Sequence, residues 1–333
     1  MPSAPRTDPP SDARPCDVSV VIPLYNHGHE LPRSVASHLS GATLKREILI
    51  IDDASTDNSV QLAKALIAQY GSNATIRLIE RQTNGGPNAA ICTGLAAARG
   101  EFVTFAAADD YVEPGFAEAA IESLEQHPQA AFCFFDPSEH CVDTGRITTV
   151  PLALSERARY FSPEEFRELV WKTSFTISSN TVVYRRSAIA SINGFDPALA
   201  LYADWMANLV LAFRHGACYR PEVKAHFRTN AQSYSATGSR SLALQKALLF
   251  RCLDELETRY ADIREMFRSA AMLPHMRART LIWLALDARG RRFLNRRLVW
   301  RLAQREVWTA MRPFMPQQFR RVLRRTVAHL SSK

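Results

Sequence analysis

Three pairs of polar residues follow short apolar runs in this sequence: Tyr25-Asn26 after VSVVIP, Asp52-Asp53 closing EILIID, and Asp109-Asp110 shortly after EFVTF. A further acid, Asp204, stands immediately before Trp205. An ionised carboxylate only accepts hydrogen bonds. It is also a hard oxygen ligand of the kind that Mg²⁺ and Mn²⁺ take, and beside a hydroxyl it can receive a proton. All three uses are open to acids in these positions, and so is the ordinary work of closing a turn. His27 and His29 invite a metal reading, but no third ligand is identifiable and a solvent-facing loop is expected. The six cysteines (Cys16, Cys92, Cys133, Cys141, Cys218 and Cys252) form no CxxC pair, which predicts reduced thiols in a cytosol.

The elements that must position these residues alternate. Val18 to Pro23 is a continuous β-branched run, as expected of a strand buried on both faces of a parallel sheet. Leu31, Val35 and Leu39 then recur at helical spacing, giving a crossover helix. The unit repeats. Glu47 to Asp52 is a second strand, and Asp57 caps a helix carrying Leu62, Leu66 and Tyr70. Thr75 to Glu80, Asn88 to Arg99 and Glu101 to Phe105 give the third strand, third helix and fourth strand. This alternation predicts an α/β fold: a doubly wound, mostly parallel sheet flanked by helices, with ligands beyond the carboxyl ends of the strands. No GxGxxG follows the first strand, which argues against a nicotinamide or flavin enzyme. Later, Glu118 to Gln126 reads as a helix, Ala131 to Phe135 and Ser178 to Arg186 as strands, Asn193 to Asp196 as a tight turn, and Trp205 to Phe213 as a helix. Beyond Ser241 the chain is helical and Arg-rich.

Of 333 residues, 47% are apolar and 22% charged, ordinary for a chain with a real core. The net charge of +8 is divided unevenly. Residues 1–240 carry 21 Lys/Arg against 26 Asp/Glu, and residues 241–333 carry 20 against 7. An acidic body would repel phosphates, so specific nucleic-acid binding is not expected. The opening MPSAPRTDPPSDARPCD is expected to be a disordered lead-in without a signal peptide. No apolar stretch is long enough to cross a bilayer.

Taken in order, VSVVIPLYN, IIDDASTDNS, NGGPNAA, GEFVTFAAADDYVEPGF and GFDPALALYADW resemble glycosyltransferase family 2, whose catalytic domain has the GT-A fold and whose members transfer sugars with inversion. The likeness covers about residues 17–235. It implies a nucleotide-sugar donor, here a UDP-sugar, a divalent Mn²⁺ or Mg²⁺ at the diphosphate, and an acceptor hydroxyl in cell-surface polysaccharide or glycolipid synthesis. It places the metal on Asp109 with Asp110 in support, the base of the nucleotide on Asp53, and Pro23, Tyr25, Asn26 and Asn84 around the nucleotide. It makes Asp204 the base that takes the acceptor proton, with Trp205 as a wall for the acceptor.

The departures are specific. Ala107 stands where the family has the first acid of Asp-x-Asp, Ala203 where it has Glu before the catalytic Asp, and Ile91-Cys92 where Arg and Asn are common. They keep open a second reading, a catalytically impaired nucleotide-sugar-binding or scaffold protein. Cys92 reads as core, not nucleophile. The QxxRW signature of processive synthases is absent, and Arg228 with Ser233-Tyr234-Ser235 forms either a cover for the diphosphate or a surface loop.

The expected organisation is a disordered segment 1–16, a GT-A catalytic domain 17–238 and a basic helical region 239–333. Within the last, residues 314–330 set Met315, Phe319, Val322, Leu323, Val327 and Leu330 near one helical face beside Arg320, Arg321, Arg324 and Arg325. Such a helix either lies on the inner membrane, bringing a cytoplasmic enzyme to a lipid-linked acceptor, or packs on the catalytic domain or on a second subunit in a homo-oligomer.

Overall fold

The computed structural model describes residues 16–41, 43–71, 75–149, 151–173, 175–229, 241–274 and 277–311. The lead-in before Cys16, the Ser233-Tyr234-Ser235 loop and the amphipathic segment at 314–330 lie outside the described residues.

The four apolar runs form β1 (Val18–Leu24), β2 (Arg46–Asp52), β3 (Thr75–Glu80) and β4 (Phe102–Phe105). They pair in parallel in the order β3-β2-β1-β4. Crossovers run through α1 (Leu31–Leu39), α2 (Ser59–Tyr70) and α3 (Pro87–Ala97). Alternate residues of β1 serve opposite cores. Val20 and Ile22 pack with Leu31, Val35 and Ala63, whereas Val21 packs with Ala90, Ile91 and Leu95 of α3. Pro23, the last residue of the expected strand, lies within β1 opposite Ile51. The ladder to β4 ends at Val21, so the missing N–H leaves no gap on that side.

The second half extends the sheet. In chain order it holds β5 (Tyr111–Val112), α4 (Phe116–Gln126), β6 (Phe132–Cys141), β7 (Ile147–Thr149), β8 (Arg159–Phe161), α5 (Pro163–Lys172), β9 (Val182–Arg185), α6 (Arg186–Ser191), α7 (Ala203–His215) and β10 (Ala217–Thr229). The described residues form a ten-stranded sheet whose path continues β4-β9-β6-β10-β5. Its long ladders are parallel, and no antiparallel one exceeds three residue pairs. Two expected strands change length. The one at Ala131 runs on to Cys141 because its second half pairs with β10, and the one at Ser178 shrinks to Val182–Arg185, preceded by a 3-10 turn, Ser179–Thr181.

Among the described residues five further α-helices follow: α8 (Leu242–Thr258), α9 (Arg264–Ser269), α10 (Ala278–Leu286), α11 (Ala288–Phe293) and α12 (Arg296–Met311). They share a core with the preceding domain. Leu249, Leu253, Phe267, Leu298 and Leu302 are buried in the same cluster as Phe166, Val210 and Phe213. Phe267 meets Phe213 edge-on at 5.0 Å, and Arg214 holds Asp262 through two 2.8 Å hydrogen bonds. No helix of the described residues is long and apolar enough to cross a membrane.

Gly94 lets α3 lie flat on the sheet. A Cβ there would stand 2.3 Å from Cγ1 of buried Val21. Gly94→Val is therefore expected to lower unfolding free energy by about 1–3 kcal/mol, read from urea denaturation midpoints at unchanged slope.

Candidate active site

Strand direction assembles the site. β4 and β6 each run antiparallel to β9, so β1 to β4, β6 and β10 all point one way. Their carboxyl ends share an edge with the start of β9, which brings Ser179 and Asn180 there as well. This is where open α/β sheets bind ligands.

On the β1–β2 side the loops are clasped together. Asn26, at φ 57°, donates through its backbone N–H to Ser55 Oγ at 3.1 Å, and its Oδ1 accepts from Thr56 N at 2.9 Å. Tyr25 is left 43% exposed, its ring offered to solvent. Asp52 closes the turn by accepting from Ser55 N at 3.1 Å. Buried Asp53 accepts from Gly85 N at 3.1 Å and Gly86 N at 2.7 Å, and pairs with the Arg81 guanidinium. Asn84 Oδ1 adds a second acceptor for Gly86 N at 3.1 Å. A carboxylate has about four acceptor positions, and Arg81, Gly85 N (shared between both oxygens) and Gly86 N take them up, so Asp53 holds the glycine turn.

Beyond β4, Asp109 and Asp110 differ sharply. Asp110 is buried; it accepts from Asn180 Nδ2 at 3.1 Å and Arg228 N at 2.9 Å. Burial, reinforced by the charge of Asp109, pushes its carboxyl up to about 8. Asp109 has no hydrogen bond or salt bridge to any described residue. The Arg228 charge acts on both of these adjacent carboxylates, whose hard oxygens suit a divalent cation. The described residues hold no group of three His, Cys, Asp or Glu fit to cage a metal, so most ligands would come from phosphate and water. The Arg228 guanidinium pairs with Glu30. His27 and His29 are exposed, as expected.

Asp204 opens α7. One turn on, Asn208 Oδ1 accepts from the buried Tyr184 hydroxyl at 2.7 Å, which fixes the rotation of the helix and turns the Asp204 face toward β9. Burial raises the Asp204 carboxyl to about 6 against the opposing hydrogen bonds from Trp205 N and Ser179. Asp204 and Asp110 line one cavity of about 570 Å³, together with Asn180, Trp205, Tyr202 and Phe227. Tyr202 and Trp205 meet edge-on at 6.1 Å.

Two contacts that the sequence did not disclose hold the Gly-Phe-Asp segment against α3. Asn88 Nδ2 donates to Ala200 O at 2.7 Å, and the Cys92 thiol donates to Phe195 O at 3.1 Å. Burial raises the Cys92 thiol further from ionisation, in keeping with a structural role.

The family model for glycosyl transferase family 2 matches residues 19–192. The chain belongs to that family. An uncharacterized glycosyltransferase of Escherichia coli (strain K12), YibD, is 38% identical over 120 residues, 36% of this chain and 34% of that protein; the match thus spans about a third of the relative's own length. Among solved structures, S. aureus TarS 1–349 in complex with UDP-GlcNAc superposes with a TM-score of 0.62 at 16% identity, covering 77% of this chain and 70% of that one. The mannosyltransferase PcManGT of Pyrobaculum calidifontis, in complex with GDP-Man and Mn²⁺, reaches 0.54 at 15% identity, covering 95% and 86%. These likenesses establish the glycosyltransferase fold of the family 2 domain.

Ala200 carries φ 46° and ψ −117°, a conformation that an L side chain resists. Ala200→Gly is expected to raise unfolding free energy by about 1 kcal/mol and Asn88→Ala to lower it by a similar amount, both read from urea denaturation. An Ala200→Gly variant less stable than wild type would contradict this account.

Proposed function

We propose that this chain is a metal-dependent inverting glycosyltransferase that moves a sugar from a nucleoside-diphosphate donor, a UDP-sugar, to an acceptor hydroxyl. The observation that carries the reading is the shared cavity of Asp204 and Asp110 at the carboxyl edge of the sheet, with Asp109, which has no hydrogen bond or salt bridge to a described residue, next to Asp110. The strands bearing Asp53 and Asp109 flank β1, so the two loops start roughly 10 Å apart, a span that a nucleoside diphosphate covers. Family neighbours solved with UDP-GlcNAc and with GDP-Man and Mn²⁺ support a nucleotide sugar as donor.

In this reading the clasped loops at Tyr25-Asn26 and Asp53-Gly86 receive the nucleoside. Asp109, backed by Asp110, supplies oxygen ligands for Mn²⁺ or Mg²⁺, which when bound would stabilise charge on the departing diphosphate. Asp204 takes the proton from the acceptor hydroxyl as that oxygen attacks the anomeric carbon from the face opposite the leaving group. A carboxyl raised to about 6 is a stronger base than an exposed aspartate and is still ionised at neutral pH.

Calorimetric titration with UDP is expected to show Mn²⁺-dependent binding in the wild type and its loss in Asp109→Ala; equal binding with and without metal in both proteins would refute the metal assignment. Asp204→Asn should lower kcat by about 10²–10⁴-fold while UDP affinity stays unchanged. In the wild type, protonation of Asp204 removes the base, so kcat/KM should fall tenfold per pH unit below about 6 and level off above it. UDP binding with no transfer by the wild type to any acceptor would favour a nucleotide-sugar-binding protein instead.

A further inference from the structure

The cavity that holds Asp204 is not made by the family 2 domain alone. Two stretches of chain line it: residues 175–180, which follow α5, and Met272, Leu273 and Pro274, which follow α9. Each stretch begins at the carboxyl end of a helix, and one side chain of α12 reaches both ends. Arg301 donates through Nη2 to the carbonyls of Val170 and, at 3.2 Å, Thr173, and through Nη1 to that of Ala270 at 2.8 Å. Val170 lies in the last turn of α5 and Thr173 is its C-cap, while Ala270 is the C-cap of α9. The last carbonyls of a helix lack an N–H from their own helix and carry the negative end of its dipole, so a cation with several donors suits them.

The guanidinium presents its donors in a fixed plane, and from two nitrogens it reaches carbonyls of two separate segments; an ammonium is a single point and cannot span them. Burial, with the charge of Arg305 adding to it, pushes the Arg301 side chain down to about 10, so it is still a cation at neutral pH. The fork therefore fixes a distance between two helix ends. Beyond α9, Ala271 takes φ 51°, with its N–H on Arg268 O at 3.2 Å and that of Met272 on Phe267 O at 3.1 Å, and the next residue is the buried Leu273 of the cavity wall. Beyond α5, Ile177 is buried and the chain delivers Ser179 to Asp204 and Asn180 to Asp110. We propose that Arg301 is a positioning residue of the acceptor cavity: by capping α5 and α9 at once it sets the separation of the two stretches that line the cavity beside Asp204, shielding that carboxylate from water and holding the acceptor in register. This rests on the reading of that cavity as the acceptor site. Arg301 acts through the main chain it holds, not through contact with the reacting hydroxyl.

The test uses the full chain with ¹³C-labelled aspartate carboxyls, the Asp204 signal being the one lost in Asp204→Asn. In the wild type it should titrate near 6. Arg301→Lys keeps the charge but loses the fork. Water admitted at the loosened wall favours the ionised carboxylate, whereas loss of the Ser179 hydrogen bond disfavours it; burial is the larger influence on Asp204, so its midpoint should fall, by about one pH unit. The titratable groups around Asp204 are Asp110, Tyr202, Arg301 and Arg305 on the cavity lining and Tyr184 of β9, and Arg301→Lys leaves the charge of each in place. Arg214→Gln is the control: it breaks the link from α7 to Asp262, away from the cavity, and should lower the thermal midpoint while leaving the Asp204 titration where it was. An Asp204 midpoint unchanged in Arg301→Lys, or displaced equally in Arg214→Gln, would overturn the proposal, since Arg301 would then serve stability alone. Should Arg301→Lys not fold, Leu273→Ala decides: opening the wall should lower the Asp204 midpoint, and an unchanged value means that the wall does not govern Asp204 and the proposal fails. With a transferable acceptor in hand, Arg301→Lys should raise its KM by about tenfold with UDP affinity unchanged. Transfer at the wild-type rate by Asp204→Asn would remove the base assignment and leave the titration result, and the brace, standing.

Discussion

A carboxylate withdrawn from water must be met by donors, and at the carboxyl edge of this sheet the donors are shared out unequally. Asp53 is met by two backbone N–H groups and a guanidinium, Asp110 by an amide and a backbone N–H, and Asp204 by a backbone N–H and a serine hydroxyl. Asp109 is met by none of the described residues. The first of these is a structural knot that ties the glycine turn to β2. The last feels the Arg228 charge without a hydrogen bond from a described residue. Between them, Asp110 and Asp204 are held at raised proton affinity by burial, Asp110 with the charge of Asp109 beside it.

The departures from the family pattern look less damaging in three dimensions than along the chain. Ala203 is buried in the core, where the small side chain packs at the entry to α7 while Asp204 reaches the cavity. Ala107 contributes its carbonyl, which accepts from Ser34 Oγ at 3.0 Å and ties the β4 loop to α1. Cys92 replaces a polar contact with a thiol bound to the Gly-Phe-Asp segment, pinning that turn from α3. In each case the position that lost a functional group kept a structural one, and the acids that remain still gather at one edge.

The C-terminal helices change the picture of a catalytic domain with an appendage. Their leucines and Phe267 fill the same core as α5 and α7, and Arg301 bonds to carbonyls at the end of α5. The excess basic charge of residues 241–333 is therefore placed in part beside the cavity that Asp204 lines. It is not only a solvated surface.

What the sequence determined by itself is the local material of the site. The β-branched runs with polar residues after them fixed β1 to β4, because a strand buried on both faces admits little else, and the acid pairs marked the loops at their ends. Val18–Leu24 and Arg46–Asp52 were legible to within a residue or two for that reason. Only the tertiary structure decided what those acids meet. Asn180 reaches Asp110 because β9 runs backwards, and nothing in SSNTVVYRR states the direction of a strand. Arg81 and the Gly85-Gly86 amides converge on Asp53 from the far side of a crossover, and Arg301 reaches the cavity from nearly a hundred residues beyond Asp204. Which carboxylate is satisfied, which is costly to ionise and which has no donor among the described residues are properties of groups brought in from distant parts of the chain, and sequence spacing does not encode them.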